Sequence, residues 1–75
     1  MRLTITENER SLDVIVKPEQ RIQEVYRILV ENGCFAPLAP AIQLKIYSRR
    51  QTRYVNPMLT FRQGNIYEGD ILNIS

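Results

Sequence analysis

With 75 residues the chain has room for one domain, and a chain this short buries only roughly 60% of the surface its unfolded form exposes, so the core must be well made or shared with a partner. An apolar share of 44%, a charged share of 24% and only 3 Gly and 4 Pro argue against disorder, and a net charge of +2 is too small to imply nucleic acid by itself. One cysteine, Cys34, cannot close an internal disulfide, residues 1–16 carry charges throughout and show no signal peptide, and no apolar run approaches the roughly 20 residues of a membrane helix; the expectation is a cytoplasmic protein without direct membrane insertion.

Residues 1–6 alternate Met1, Leu3 and Ile5 against Arg2, Thr4 and Thr6, the period of a strand with one buried face. The polar "ENER" (7–10) suits a turn, and Leu12, Val14 and Val16 alternate beyond it, so the two runs predict a β-hairpin. Pro18 closes the second strand because it has no N–H to extend a ladder. The period then changes: Ile22, Val25, Tyr26 and Leu29 fall at i, i+3, i+4 and i+7, one face of a helix over about residues 20–32, with Gly33 as its left-handed stop. Its start lacks a good N-cap, although Glu19 sits near the positive end of the dipole. Ile28 and Val30 widen the stripe, and the following loop is expected to cover them.

That loop, "CFAPLAPAI" (34–42), is apolar and punctuated by proline, which suits a connection packed on the domain. Ile42, Leu44 and Ile46 alternate as a third strand, "SRRQT" (48–52) turns, and Arg53-Tyr54-Val55 returns as a short fourth. "TFRQ" (60–63) has the Thr-x-x-Gln form of a capping box and predicts one helical turn with Phe61 inward. Gly69-Asp70 supplies a last turn, with Asp70 most simply a turn residue, and residues 71–75 form the last strand. The order predicts an α+β fold, a mixed sheet of four to five strands packed on one helix. Its first and last strands lie parallel and adjacent in the middle of the sheet, the β-grasp arrangement, as a single domain over 1–75.

"VKPEQRIQEVYRIL" (16–29) is similar to the matching stretch of ubiquitin, and "NIYEGDILNI" (65–74) resembles the ubiquitin-like C-terminal stretch, with Ile66, Leu72 and Ile74 facing the core. Within ubiquitin-like proteins the chain resembles the YukD-type group, called EsaB in some bacteria, small stand-alone proteins of Gram-positive type VII secretion systems. The resemblance implies a non-enzymatic cytoplasmic accessory or regulator, bound to a cytoplasmic part of a membrane secretion complex. The alternative is a generic ubiquitin-like interaction module that self-associates or serves an unrelated complex. Conjugation needs a flexible end in Gly-Gly, whereas this sequence ends Asn73-Ile74-Ser75 inside a strand, so attachment is not expected.

No catalytic, cofactor or metal site is expected. The chain has no His, Cys34 reads as a small apolar residue, and the acidic residues are scattered. Interaction remains. By phase the outer sheet face carries Ile15, Lys45, Tyr47 and Ile71. Lys45 stands where the central isoleucine of ubiquitin's recognition patch would sit, and Ser75 near a second apolar member, so the resemblance does not extend to that surface. Arg49, Arg50 and Arg53 crowd one hairpin, with Arg62 as a neighbour, and form the second candidate protein-binding site. Their plain role is to keep an edge strand from pairing with neighbours. Tyr47 and Tyr54 flank them and could stack on bases, but without a basic stripe nucleic acid is not expected.

Overall fold

The first two alternating runs form the expected hairpin. Strand β1 (Arg2–Glu7) pairs antiparallel with β2 (Arg10–Ile15), placing Leu3 opposite Val14 and Ile5 opposite Leu12. The connection is Asn8-Glu9, and Asn8 takes φ 53°, a left-handed conformation that Asn adopts more readily than most residues. This computed structural model describes residues 1–36 and 43–74.

Helix α1 (Ile22–Glu31) buries Ile22, Val25 and Tyr26. It is shorter than the expected 20–32 at both ends, for reasons visible in the backbone. Gln20 N–H turns back to the Lys17 carbonyl and its own carbonyl accepts from Phe61 N, so Gln20 cannot join the helix. Arg21 makes no side-chain cap; the carbonyls of Leu59 and Pro57 instead accept the N–H groups of Ile22 (3.0 Å) and Gln23 (2.9 Å). A distant loop thus supplies the cap the local sequence lacks. At the other end Gly33, at φ 76°, donates to the Val30 carbonyl while Cys34 N donates to Leu29, the paired bonds of a Schellman stop.

The remaining strands are β3 (Ile46–Ser48), β4 (Arg53–Val55) and β5 (Ile71–Ile74), and the sheet order is β2-β1-β5-β3-β4. Strands β1 and β5 are parallel and adjacent, with Ile5 opposite Leu72; β3 runs antiparallel to both its neighbours. One helix over this five-stranded mixed sheet is the α+β β-grasp. The third strand does not begin at residue 42. Residues 43–45 keep the alternation but form no strand: on the β4 side Ile46 already faces Val55, which Asn56-Pro57 follows, and a proline has no N–H for a ladder. Ile42, Ser75 and most of the apolar loop lie outside the described residues, and Ile28 is 45% exposed.

The core lies between sheet and helix: Leu3, Ile5, Ile46, Val55, Leu72 and Ile74 from the strands meet Ile22, Val25, Tyr26, Phe35, Phe61 and Ile66. Each such burial stabilises by about 1.5–3 kcal/mol before ordering costs. Phe61 is held by the expected capping box, in which Thr60 N donates to Gln63 Oε1 (3.0 Å) and Gln63 N to Thr60 Oγ1 (3.1 Å). Gly64 N then donates to the Thr60 carbonyl, closing a single turn.

Candidate interaction face

The alternation that turns Leu3, Ile5, Leu72 and Ile74 inward turns Thr4, Thr6, Ile71 and Asn73 to the opposite face. Register sets these residues in two rows. One row runs Asp13, Thr4, Ile71 and then Arg49, whose N–H donates to the Ile71 carbonyl (2.9 Å). The other runs Ser11, Thr6, Asn73, Tyr47 and Tyr54. Thr4 Oγ1 donates to Asp13 Oδ1 (2.7 Å) and Thr6 Oγ1 to Asn73 Oδ1, so the polar half of the face is internally bonded. The other half is aromatic: Tyr47 meets Tyr54 edge to face at 5.2 Å.

The structure brings Ile71, Tyr47 and Arg49 together and keeps Ile15 apart. Ile15 is 78% exposed on the same face, but it lies on the edge strand β2 opposite Arg2 of β1, and Thr4 and Arg2 separate it from Ile71. Lys45 lies just before β3, exposed, in a groove of about 410 Å³ shared with Leu44, Tyr54, Asn56 and Pro57. Tyr54, 64% exposed, belongs to this face although sequence reasoning weighed it only as a stacking platform for bases. The signal was present: in Arg53-Tyr54-Val55 an inward Val55 turns Tyr54 outward.

The hairpin arginines do not form one docking point. Arg49 follows the outward phase of Tyr47, beside Ile71, Gly69 and Glu68. Arg50 is engaged inside the molecule: its Nη2 donates to the Asn65 carbonyl, its guanidinium lies 4.5 Å over the Tyr67 ring, and Nε is 3.8 Å from Asp70 Oδ2. Arg53 lies opposite Ser48 in the inward phase, at the hairpin end, with Nε donating to Gln51 Oε1 (3.1 Å). Arg62 pairs with Glu19 at 2.7 Å, both exposed, an arrangement of small energetic weight.

Asp70, expected as a plain turn residue, is 2% exposed and organises the hairpin from beneath. Its Oδ2 accepts the Ser48 hydroxyl (2.8 Å), and its Oδ1 accepts Ile71 N (2.7 Å) and Arg50 N (3.3 Å). Its carbonyl accepts Thr4 N, so one residue joins β1, β3 and β5 where the outer face begins. A buried carboxylate is tolerated only when its oxygens are satisfied in this way.

Elsewhere the chemistry is sparse. Cys34 is half-buried against the core, and among the described residues no group of His, Cys, Asp and Glu could hold a metal ion. The Tyr26 hydroxyl donates to the Ala36 carbonyl (3.2 Å), and its acidity is weakened first by burial and then by the negative Glu7 beside it. No helix among the described residues is long and apolar enough to cross a membrane.

Comparison with known proteins bears on the fold. No protein-family model matches the chain, and no curated protein matches it. Among solved structures it is similar to a de novo designed protein based on ubiquitin, with a TM-score of 0.72 and 29% identity over the whole of this chain and 85% of the other. It is also similar to a ubiquitin-like protein from the hyperthermophilic archaeon Caldiarchaeum subterraneum, with a TM-score of 0.57 and 15% identity over 99% of this chain and 92% of that one. The fold is ubiquitin-like.

Proposed function

We propose that this chain is a non-enzymatic protein-binding module that works through the outer face of β5, β3 and β4. One observation carries the reading. The helix-facing side of the sheet is consumed by the core, while the other side presents Ile71, Tyr47 and Tyr54 as adjoining apolar groups, with Tyr54 left 64% exposed. Exposed tyrosines beside arginine are the side chains that dominate binding energy at protein interfaces. The narrower form of the proposal names the partner as a cytoplasmic part of a Gram-positive type VII secretion complex, for which this chain acts as accessory. That form is supported by the resemblance of the polar-aromatic stretch "GNIYEGDILNI" (64–74) to the YukD-type proteins.

A tagged chain and its Tyr54→Ala variant, each incubated with membrane extract from a Gram-positive type VII secretor, test both forms. The expected result is recovery of a secretion-system component by the parent chain and its loss with the variant, at unchanged thermal stability. Recovery of a secretion component equally by both chains removes the face from the account. A partner from an unrelated complex, lost with Tyr54→Ala, removes the secretion assignment and leaves the module.

A further inference from the structure

On β3 the outward position is Tyr47, and Lys45 just before the strand and Arg49 just after it continue the alternation. Two cations therefore flank one aromatic ring at spacings of about 7 Å along an extended backbone. The ring is supported on one side by Tyr54 and on the other by Ile71, its diagonal neighbour on β5 at about 7–8 Å. The face is electrostatically uneven. Arg2, Lys45 and Arg49 oppose Asp13, whose Oδ1 is taken by Thr4, and Glu68 at the rim, whose Oε2 accepts the Arg2 backbone N–H. Among the described residues the ion pairs are Arg50–Asp70 and Arg62–Glu19, and no carboxylate of these residues pairs with Arg2, Lys45 or Arg49.

We propose that this stripe receives an extended acidic segment of a partner protein, an inference that rests on the protein-binding reading above. One apolar side chain of the segment sits on Tyr47, Tyr54 and Ile71. Carboxylates on either side of it reach Arg49, whose planar fork suits a bidentate carboxylate, and Lys45, which sits in the groove beside Tyr54. A nucleic-acid strand fits less well. Its affinity comes from a run of phosphate contacts, and this face offers few cations and carries the acidic Asp13 and Glu68 beside them.

The test titrates isotope-labelled chain with a blocked peptide of aspartates and glutamates around one central phenylalanine, following backbone-amide NMR shifts. The same peptide with lysines for its acids, and a single-stranded oligothymidylate, are run in parallel. Shifts are expected at residues 45–49, 53–55 and 71–73, weakening with salt and absent with the basic peptide. Lys45→Glu combined with Arg49→Glu is expected to weaken acidic-peptide binding by about tenfold while thermal unfolding stays in place. Shifts on helix α1, equal response to the basic peptide, or indifference to the double reversal overturn the proposal. Tighter binding of oligothymidylate at the same residues overturns it in favour of nucleic acid. Silence from the acidic peptide while the extracted partner still depends on Tyr54 overturns the acidic chemistry alone; silence in both assays overturns the binding reading with it.

Discussion

Asp70→Ala removes the acceptor that joins three strands under the proposed face, and its cost can be worked from the contacts. Ser48 is fully buried, so its hydroxyl, which donates to Asp70 Oδ2 at 2.8 Å, has no water to turn to. Leaving such a donor unmatched costs about 1–3 kcal/mol. The N–H groups of Ile71 and Arg50 also lose their carboxylate acceptor, but they are part-buried and recover some of the loss from solvent. The ion pair with Arg50, whose side chain is 42% exposed, adds little and is left aside. The sum is about 2–4 kcal/mol, or a fall in melting temperature of about 10–25 °C for a domain of this size. Asp70→Asn keeps one carbonyl oxygen for the backbone N–H groups and turns its amide toward Ser48, so it is expected to cost about half as much. Urea unfolding followed by far-UV circular dichroism, with slopes compared to confirm an unchanged transition, measures both variants. A loss below about 0.5 kcal/mol for Asp70→Ala, or an equal loss for Asn and Ala, would show that the buried network does not hold the hairpin.

Further outcomes follow from other parts of the molecule. Gly64→Ala places a Cβ 2.8 Å from Val55 Cγ1 inside the core and is expected to destabilise by about 1–3 kcal/mol in the same urea assay. Thr52 holds φ 54° in the β3–β4 turn, a conformation that a β-branched residue adopts under strain, so Thr52→Asn is expected to stabilise by about 0.5–1 kcal/mol, read as a raised urea midpoint. The capping box predicts that Thr60→Ala loses about 1 kcal/mol and that amide exchange speeds at Gln63, whose N–H loses its acceptor. Tyr26 gives a pH dependence of definite sign. Its folded pKa is raised above 10.0, so its contribution is fully present below pH 10 and is lost as the unfolded chain ionises and pH rises through the folded value. Stability measured from pH 9 upward is therefore expected to fall less steeply in Tyr26→Phe than in the parent chain.

What was legible in the sequence was local or periodic. Leu3, Ile5, Leu72 and Ile74 announced their faces through a period of two, and the helix stripe through a period of 3.6, because a single buried face imposes each pattern. Thr60-Gln63 and Gly33 were readable because their bonding partners lie within a few residues. The Ser48–Asp70–Ile71 cluster and the Arg50 contacts with Asn65, Tyr67 and Asp70 were not. They join residues some twenty positions apart, and nothing in "SRRQT" or "GD" shows that one arginine folds back onto the molecule while the adjacent one turns away. The helix N-terminus taught the same lesson in reverse. A missing N-cap at residues 18–21 left its orphan N–H groups unexplained until Pro57 and Leu59 supplied the carbonyls. Strand β3 begins later than the alternation through residues 43–45 predicts, because on the β4 side Asn56-Pro57 follows Val55 and proline cannot extend the ladder. For the candidate face, phase identified Tyr47 and Ile71 as outward, and only register showed that Tyr54 completes their patch while Ile15 stands apart.

The central claim is that partners meet the sheet's outer face and not the helix. Site-specific photocrosslinking in the native cell addresses it most directly. A photoreactive phenylalanine analogue replaces Tyr54 on the outer face in one strain and Gln23, exposed on helix α1, in another. The account predicts a discrete crosslinked partner from position 54 and none from position 23, with the position-54 product lost when unlabelled chain competes. A discrete product from position 23 alone would contradict it and move the interaction surface to the helix.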